Sequence, residues 1–471
     1  MKISLIGHEY TYEAYQVASL FYEKSDIEFT DDGEYLSIYE KGKCIFKSKD
    51  ENIYFEEVVE DNKKQIKLGL KITILKGLKK VTGKEIPWGV LVGIRPTKLY
   101  HEFKVENLSD LEIKNLLISK YCLSEEKANL LIEVAKAEEE FLKSNSKEIS
   151  VYIGIPFCPT RCVYCSFTSN AITKNNLVEE YLTSLIKEID YTFKLIKEKG
   201  LKIDTLYIGG GTPTSLNEKQ FETLLKTVYE KTKTDNIREY TVEAGRPDSI
   251  TEEKLKCIKK YGATRISINP QTMNNETLKK IGRLHSAEDI NETFYLAREL
   301  GFDNINMDVI IGLPGENEEH VKTTMEGIKK LNPDSITIHT MAIKRASRLH
   351  EIGYSVEDNR IINMYNIANN YCREMGMNPY YMYRQKNMVS PLENIGYSYK
   401  GNESIYNVQM IGESISIVGL GADSVSKAVF KKENRIERVA NLKDVREYNS
   451  RINEILQNKE KALNMIEESF K

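Results

Sequence analysis

The sequence predicts an α/β fold, and three observations carry that prediction. From residue 151 onward, short apolar runs alternate six times with longer segments of helical period, the pattern of a parallel sheet with crossover helices. A chain of 471 residues exceeds one ordinary core and calls for two or three domains. The polar stretch KSNSKEIS at 143–150 separates the alternating region from an N-terminal part of different pattern, because Ser and Asn compete with regular structure and no apolar period runs through it. The expected organisation is an accessory α+β domain over 1–147, an α/β core over 148–345 and a substrate-side, helical C-terminal region over 346–471.

Taken in order, residues 1 to about 105 alternate apolar and polar in the runs EYLSIYE, KCIFKS and KQIKLGLKITIL, which read as strands, and 109–143 read as helical. Trp88 and GIRPTK at 93–98 mark either a docking position of this domain or a turn. The core strands are expected at VYIGI, DTLYIGG, EYTVEA, TRISIN, NINMDVII and SITIHTM, with helices such as LVEEYLTSLIKEIDYTFKLIKEK and EEHVKTTMEGIKKL between them. Right-handed crossovers then give a parallel sheet, and the pattern alone allows a doubly wound sheet or a barrel. A helical tail closes the chain.

Composition narrows the partners. The chain is 41% hydrophobic with a formal charge of −3, so the basic footprint of a nucleic-acid binder is missing from the overall balance. No apolar run reaches membrane-spanning length. Seven cysteines without an apolar leader after Met1 indicate a reducing cytoplasm. Cys44, Cys122, Cys257 and Cys372 read as isolated core thiols.

Cys158, Cys162 and Cys165, in CPTRCVYC, have a Cys-x3-Cys-x2-Cys spacing on one short loop after the first core strand. Three thiolates so placed can hold three irons of a [4Fe-4S] cluster and leave the fourth iron open, because soft sulfur ligands suit iron-sulfur chemistry. An open iron can chelate the amino and carboxylate groups of S-adenosylmethionine (SAM) and reduce its sulfonium, giving a 5'-deoxyadenosyl radical. A structural zinc site needs a fourth Cys or His to close a tetrahedron. None lies nearby, and Cys257 sits on an expected helix far along the chain.

YIGIPFCPTRCVYCSF resembles the opening of the radical SAM domain in oxygen-independent coproporphyrinogen III oxidases and their relatives, and the resemblance extends over 150–430. Gly154, where most members carry His, and the long N-terminal extension are most similar to the HemZ branch. The resemblance implies an incomplete (β/α)6 TIM-type barrel with a C-terminal family-specific extension and chemistry at the C-terminal strand ends. Every motif below falls at such an end.

In GGGTPT, consecutive glycines either let backbone amides approach a ligand or form a tight turn. The resemblance places the methionine amino group of SAM against this segment, so Gly210, Gly211 and Thr212 are candidates. It likewise implies Glu243 in TVEAGRPD as the acidic SAM contact, Gln271 in SINPQTM for the ribose, and Arg283, twelve residues on in GRLH, for the methionyl carboxylate, which a guanidinium fork matches. Asp308 in MDVIIGLPGE is flanked by apolar strand residues and requires a partner. Tyr152 and Tyr164 carry over as covers for cluster and adenine, with core packing as the other reading. Ala342 in HTMAIK matches a backbone contact of a second SAM, so one or two SAM molecules are implied. His285 reads as structural rather than as an acid or base.

The substrates implied are tetrapyrroles with propionate arms, for which Arg345, Arg348, Arg384 and Lys386 are the candidate cations, beside Tyr380, Tyr381 and Tyr383. GLGADS at 419–424 matches the family's C-terminal glycine-rich segment. The implied reaction removes hydrogen from a propionate β-carbon and releases carbon dioxide while an external acceptor takes the remaining electron; run twice, it converts coproporphyrinogen III to protoporphyrinogen IX. A reducing partner such as flavodoxin or ferredoxin is implied. Phe167 stands where the dehydrogenases carry a further Cys, which resembles the heme-chaperone branch, yet Tyr406 and Asn407 stand where that branch has a His-Asn pair. The alternatives are another radical reaction on a porphyrin, a heme-binding carrier without decarboxylation, and radical modification of RNA or protein.

Overall fold

The computed structural model describes residues 1–143, 147–165, 170–172, 176–344, 347–351, 353–354 and 358–471. The chain divides into two compact units, Met1–Lys136 with Pro391–Glu393, and Ala137–Ser390 with Asn394–Lys471. Part of KSNSKEIS, 144–146, lies outside the described residues.

The first unit runs β1 (Lys2–Ile6), α1 (Thr11–Ala18), β2 (Glu28–Phe29), β3 (Tyr35–Glu40), β4 (Lys43–Ser48), β5 (Tyr54–Val58), α2 (Lys63–Thr82), α3 (Thr97–Val105), α4 (Asp110–Ser119) and most of α5 (Glu125–Leu142). Its sheet has the order β2-β1-β3-β4-β5, with Ile3, Phe46, Ile74 and Leu78 in the core against it. EYLSIYE and KCIFKS form strands as expected, and 109–143 is helical.

KQIKLGLKITIL does not form a strand; it lies in the helix α2. Its apolar residues recur every second position, but the segment buries Gly69, Thr73 and Leu75 as well, so no face is left polar in the way a half-buried strand requires. The ends carry the helix signals: the Asn62 side chain accepts from the Gln65 N–H, and Gly83 closes the last turn at φ 67°. Gly77 lets α2 lie on the sheet, since a Cβ there would fall 2.1 Å from a ring carbon of Phe46. Trp88 is fully buried and donates its indole N–H to Glu393 at 2.6 Å, while Lys127 meets the other oxygen of Glu393 at 2.7 Å.

The second unit contains β6 (Glu148–Ile155), β7 (Phe157–Cys158) paired with β8 (Asn170–Ala171), α6 (Asn176–Glu198), β9 (Lys202–Gly210), α7 (Glu218–Thr232), β10 (Glu239–Gly245), α8 (Glu252–Lys260), β11 (Arg265–Ile268), α9 (Asn275–Lys280), α10 (Ala287–Glu299), β12 (Ile305–Ile311), α11 (Glu318–Leu331) and β13 (Ser335–Thr340). It continues through α12 (Arg348–Glu351), α13 (Asp358–Glu374), β14 (Asn378–Tyr383), β15 (Asn394–Ser398), α14 (Ile405–Gly412), β16 (Ser416–Leu420), β17 (Val425–Phe430), β18 (Arg435–Ala440), α15 (Val445–Ser450) and α16 (Ile452–Glu468).

Each expected core strand forms, and β6, β9, β10, β11, β12 and β13 pair in that order, all parallel. Their apolar runs are buried on both faces, as parallel strands under crossover helices must be. The sheet does not close. Antiparallel β15 and β14 extend it beyond β13; on the other side β16 pairs parallel with β6, followed by antiparallel β17 and β18. Residues beyond 345 therefore build both edges of the core sheet instead of standing apart from it. Among the described residues no helix is long and apolar enough to cross a membrane.

Candidate active site

A cavity of about 370 Å³ opens where the six parallel strands end. Cys158, Cys162 and Cys165 line it, together with Tyr152, Tyr164, Gly210, Gly211, Thr212, Glu243, Gln271, Arg283, Asp308 and Ala342. The candidate cluster and SAM residues of the sequence thus reach one place, because parallel strands with crossover helices bring successive loops to one end of the sheet.

The cysteine loop is fitted tightly to the glycine segment after β9. Gly211 N–H donates to Ile155 O at 2.8 Å and Thr212 N–H to Phe157 O at 2.7 Å. A Cβ at Gly211 would lie 2.5 Å from Phe157 O and 2.9 Å from Cys158 Sγ, so only glycine fits beneath the first cysteine. The Thr212 hydroxyl reaches Cys158 Sγ at 3.5 Å.

Glu243 stands two residues before the end of β10, half-buried on the cavity lining. Tyr207 donates to Oε1 at 2.5 Å and Gly210 N–H to Oε2 at 3.2 Å. Burial pushes its pKa up to about 7; Tyr207 pulls the other way, and the neighbouring charge of Asp308 adds to the rise. Tyr207, Tyr152 and Tyr406 cluster mutually, with ring centroids 6.1 Å apart for Tyr207 and Tyr152, 4.5 Å for Tyr207 and Tyr406, and 6.4 Å for Tyr152 and Tyr406. Burial holds all three phenols well above their ordinary pKa, so they remain hydroxyl donors.

Gln271 adopts the left-handed backbone, φ 65°, with its N–H on Asp308 O and its carbonyl accepting from Ile310 N–H. That conformation is costly for a non-glycine residue and recurs where a side chain must be aimed. Its Oε1 is buried with no partner. Arg283 donates to Asn269 O at 2.6 Å and to the Tyr164 hydroxyl at 3.1 Å, yet its Nε has no partner, nor does Asn269 Oδ1. Burial opposes the Arg283 charge, but Tyr164 and Cys162 beside it raise its pKa above the ordinary value.

Asp308 accepts from Asn306 Nδ2 at 2.8 Å and lies 3.7 Å from His339 Nε2. Burial works against its carboxylate, and His339 and Asn306 outweigh burial to hold the pKa below the usual value. The other His339 nitrogen is 3.4 Å from the Tyr383 hydroxyl.

The residues fit a cluster and SAM by their donor chemistry. Three thiols, none in a disulfide, share the cavity with unpartnered polar atoms of Gln271, Arg283 and Asn269, and buried polar atoms without partners are rare unless a ligand completes them. As they stand, no three His, Cys, Asp or Glu side chains among the described residues are gathered as a ready metal group. The thiols instead take nearby donors, Thr212 for Cys158 and Arg246 for Cys162.

Three of the four expected propionate cations are not brought here. Arg348, Arg384 and Lys386 do not line the cavity, and Arg345 and Phe167 lie outside the described residues. Besides Arg246 and Arg283, the cation that does is Lys344, with His339, Tyr383 and Gln385 also on the lining. His285 is buried and does not line the cavity, and Tyr406 is packed under Tyr207. Of the isolated thiols, Cys44 and Cys372 are fully buried and Cys122 and Cys257 only partly. Tyr207 and Arg246 were not singled out by the sequence reading. Tyr207 lies on the expected strand DTLYIGG, two residues before Gly209. Arg246 had no such signal beyond its place just past a strand end.

The radical SAM superfamily model matches residues 152–328. The chain is 38% identical over 475 residues to the Oxygen-independent coproporphyrinogen-III oxidase-like protein HemZ of Bacillus subtilis, covering 96% of this chain and 95% of that one. It is 37% identical to the Heme chaperone HemW of the same organism over 41% of this chain and 51% of that one. Coproporphyrinogen III oxidase (HemN) from Escherichia coli, a radical SAM enzyme, has a solved structure that superposes with a TM-score of 0.54 at 21% identity, covering 68% of this chain and 73% of that one. That last likeness shows the fold. By its matched domain and its end-to-end identity, this chain belongs to the radical SAM superfamily and, within it, to the oxygen-independent coproporphyrinogen-III oxidase-like family of Bacillus subtilis HemZ.

Proposed function

We propose that this chain carries out the oxygen-independent oxidative decarboxylation of coproporphyrinogen III propionates to give protoporphyrinogen IX. The observation that carries the reading is the meeting of three thiols with unpartnered Gln271, Arg283 and Asn269 atoms in one cavity. The HemZ relative's description as coproporphyrinogen-III oxidase-like, over nearly the whole chain, supports the substrate.

Cys158, Cys162 and Cys165 would hold a [4Fe-4S] cluster, and Gly210, Gly211, Thr212, Glu243, Gln271 and Arg283 would hold SAM. When bound, that pair supplies one-electron reductive cleavage and a hydrogen-abstracting adenosyl radical. The chain's own residues orient and shield. Glu243, ionised, accepts from the ammonium group; Arg283 offers its unpartnered Nε to the carboxylate; Gln271 presents Oε1 to a ribose hydroxyl. Tyr152 and Tyr164 cover the apolar side and exclude water. Lys344, on the lining of the same cavity, would offer a propionate carboxylate its cation.

A second reading, a tetrapyrrole carrier that does not decarboxylate, is favoured by the likeness to HemW across 41% of the chain. The test separates them. Anaerobically reconstituted protein is given dithionite, SAM and coproporphyrinogen III, and 5'-deoxyadenosine and tetrapyrroles are followed by mass spectrometry beside a Cys162→Ala control. Loss of two carboxyl groups, absent in the control, is the expected result. SAM cleavage without decarboxylation overturns the substrate, and heme bound without turnover establishes the carrier.

A further inference from the structure

Arg246 has no place in the SAM-binding set, yet it is built against the cysteine loop. It follows β10 directly and is 3% exposed. Its Nη1 donates to the Thr160 hydroxyl at 2.8 Å and to Thr160 O at 3.1 Å, and it reaches Cys162 Sγ at 3.9 Å. Its other edge is fixed: Nε and Nη2 form a fork on Asp248 at 2.9 and 2.6 Å. Behind Asp248 stands His285, with Nδ1 3.5 Å from the carboxylate and its side chain sealed from solvent. Arg283 is the second guanidinium near the same sulfur.

We propose that Arg246, held in place by Asp248, sets the reduction potential of the cluster ligated by Cys162. This rests on reading the cysteine loop as a cluster site. Reduction adds one electron, here supplied by dithionite, with no bond or proton exchanged. A buried positive charge beside a ligating sulfur stabilises the more negative, reduced state, and an N–H directed at that sulfur acts in the same sense. Asp248 opposes the effect from the far edge of the guanidinium. The planar fork holds the arginine in one orientation, so charge and N–H stay aimed at the loop. Burial keeps the His285 pKa below its ordinary value, so the ring adds no second positive charge.

Two substitutions then have opposite signs. Wild type, Arg246→Gln, Arg246→Lys and Asp248→Asn are reconstituted anaerobically, assayed for iron and sulfide, and titrated with dithionite through mediators under electron paramagnetic resonance, without SAM or substrate. Arg246→Gln is expected to lower the midpoint by at least tenfold in the reduction equilibrium, roughly 59 mV for one electron. Arg246→Lys restores most of it, and Asp248→Asn raises the midpoint. Loosened packing alone gives no such opposition. Fully loaded Arg246→Gln with an unchanged midpoint overturns the proposal, as do shifts of the same sign in Arg246→Gln and Asp248→Asn. Should Arg246→Gln fail to take up iron, Asp248→Asn carries the test, and a midpoint that does not rise overturns it. A wild-type chain that takes up no cluster overturns instead the reading of the loop.

Discussion

The Tyr207 hydroxyl donates to Glu243 at 2.5 Å, beside a cluster of Tyr207, Tyr152 and Tyr406 that lies against one side of the carboxylate. Burial has moved the carboxyl's pKa from 4.5 to about 7. The folded protein therefore holds a proton that the unfolded chain releases, and ligand-free stability falls as pH rises from 4.5 to 7. Glu243→Gln is expected to be more stable than wild type above pH 7, by up to roughly 3 kcal/mol, with no difference below pH 4.5. Urea melts of both proteins across that range check it. SAM would reverse the sign, because its ammonium group favours the ionised form: binding should tighten as pH rises toward 7, and lose that dependence in Glu243→Gln.

Gly211→Ala probes the seat of Cys158. The added methyl would fall 2.5 Å from Phe157 O, a backbone atom that cannot swing aside, and 2.9 Å from Cys158 Sγ. Overpacking of this kind costs about 1–3 kcal/mol. The expected outcome is a folded protein with much reduced iron uptake on reconstitution, measured by iron and sulfide content against its circular dichroism.

Gln271 holds strain for a purpose. A left-handed non-glycine residue costs roughly 1–2 kcal/mol, part of which glycine returns as lost chain entropy. Gln271→Gly is expected to change stability by less than about 1 kcal/mol, in the stabilising direction, while SAM affinity falls because Oε1 is gone. Calorimetric binding and thermal melts separate the two effects; a loss of both stability and affinity would contradict the strain argument.

What could be read beforehand divides along physical lines. The six strands were legible because parallel strands buried on both faces are written as continuous apolar runs, and the cysteine and glycine segments because their spacing is local. The KQIKLGLKITIL part of α2 does not show as a helix in the sequence, because it carries apolar residues at every second position and only Asn62 and Gly83 at the ends of α2 signal the helix. Arg246, Asp248 and His339 were not legible in the same way. Each acts through a partner distant in sequence: Arg246 through Thr160, Asp248 through His285, and His339 through Asp308. Of the cations expected for propionate, Arg348, Arg384 and Lys386 do not line the cavity, since nearness in sequence to β13 and β14 says nothing about which side chains face it.

The last prediction concerns the C-terminal helix. Lys459 on α16 and Glu188 on α6 are both fully buried, 3.4 Å apart. Glu188 also accepts from Gly421 N–H at 2.7 Å, Tyr448 at 2.5 Å and Asn441 at 2.8 Å, so the pair ties α16 to the glycine-rich turn after β16. That turn adjoins β6, because Ala422 N–H donates to the same Tyr181 hydroxyl that donates to Gly154 O. Burial lowers the Lys459 pKa and Glu188 opposes the drop. Two buried charges are poor evidence of net stability, but breaking one side is costly, about 3–5 kcal/mol, since the other charge is left uncompensated. Lys459→Met should therefore destabilise by about that much in urea melts. Glu188→Leu with Lys459→Met should recover a large part of it, though not all, because Gly421, Tyr448 and Asn441 then lose an acceptor. A double variant no more stable than Lys459→Met would show that the hydrogen bonds to Glu188, not the ion pair, hold the turn.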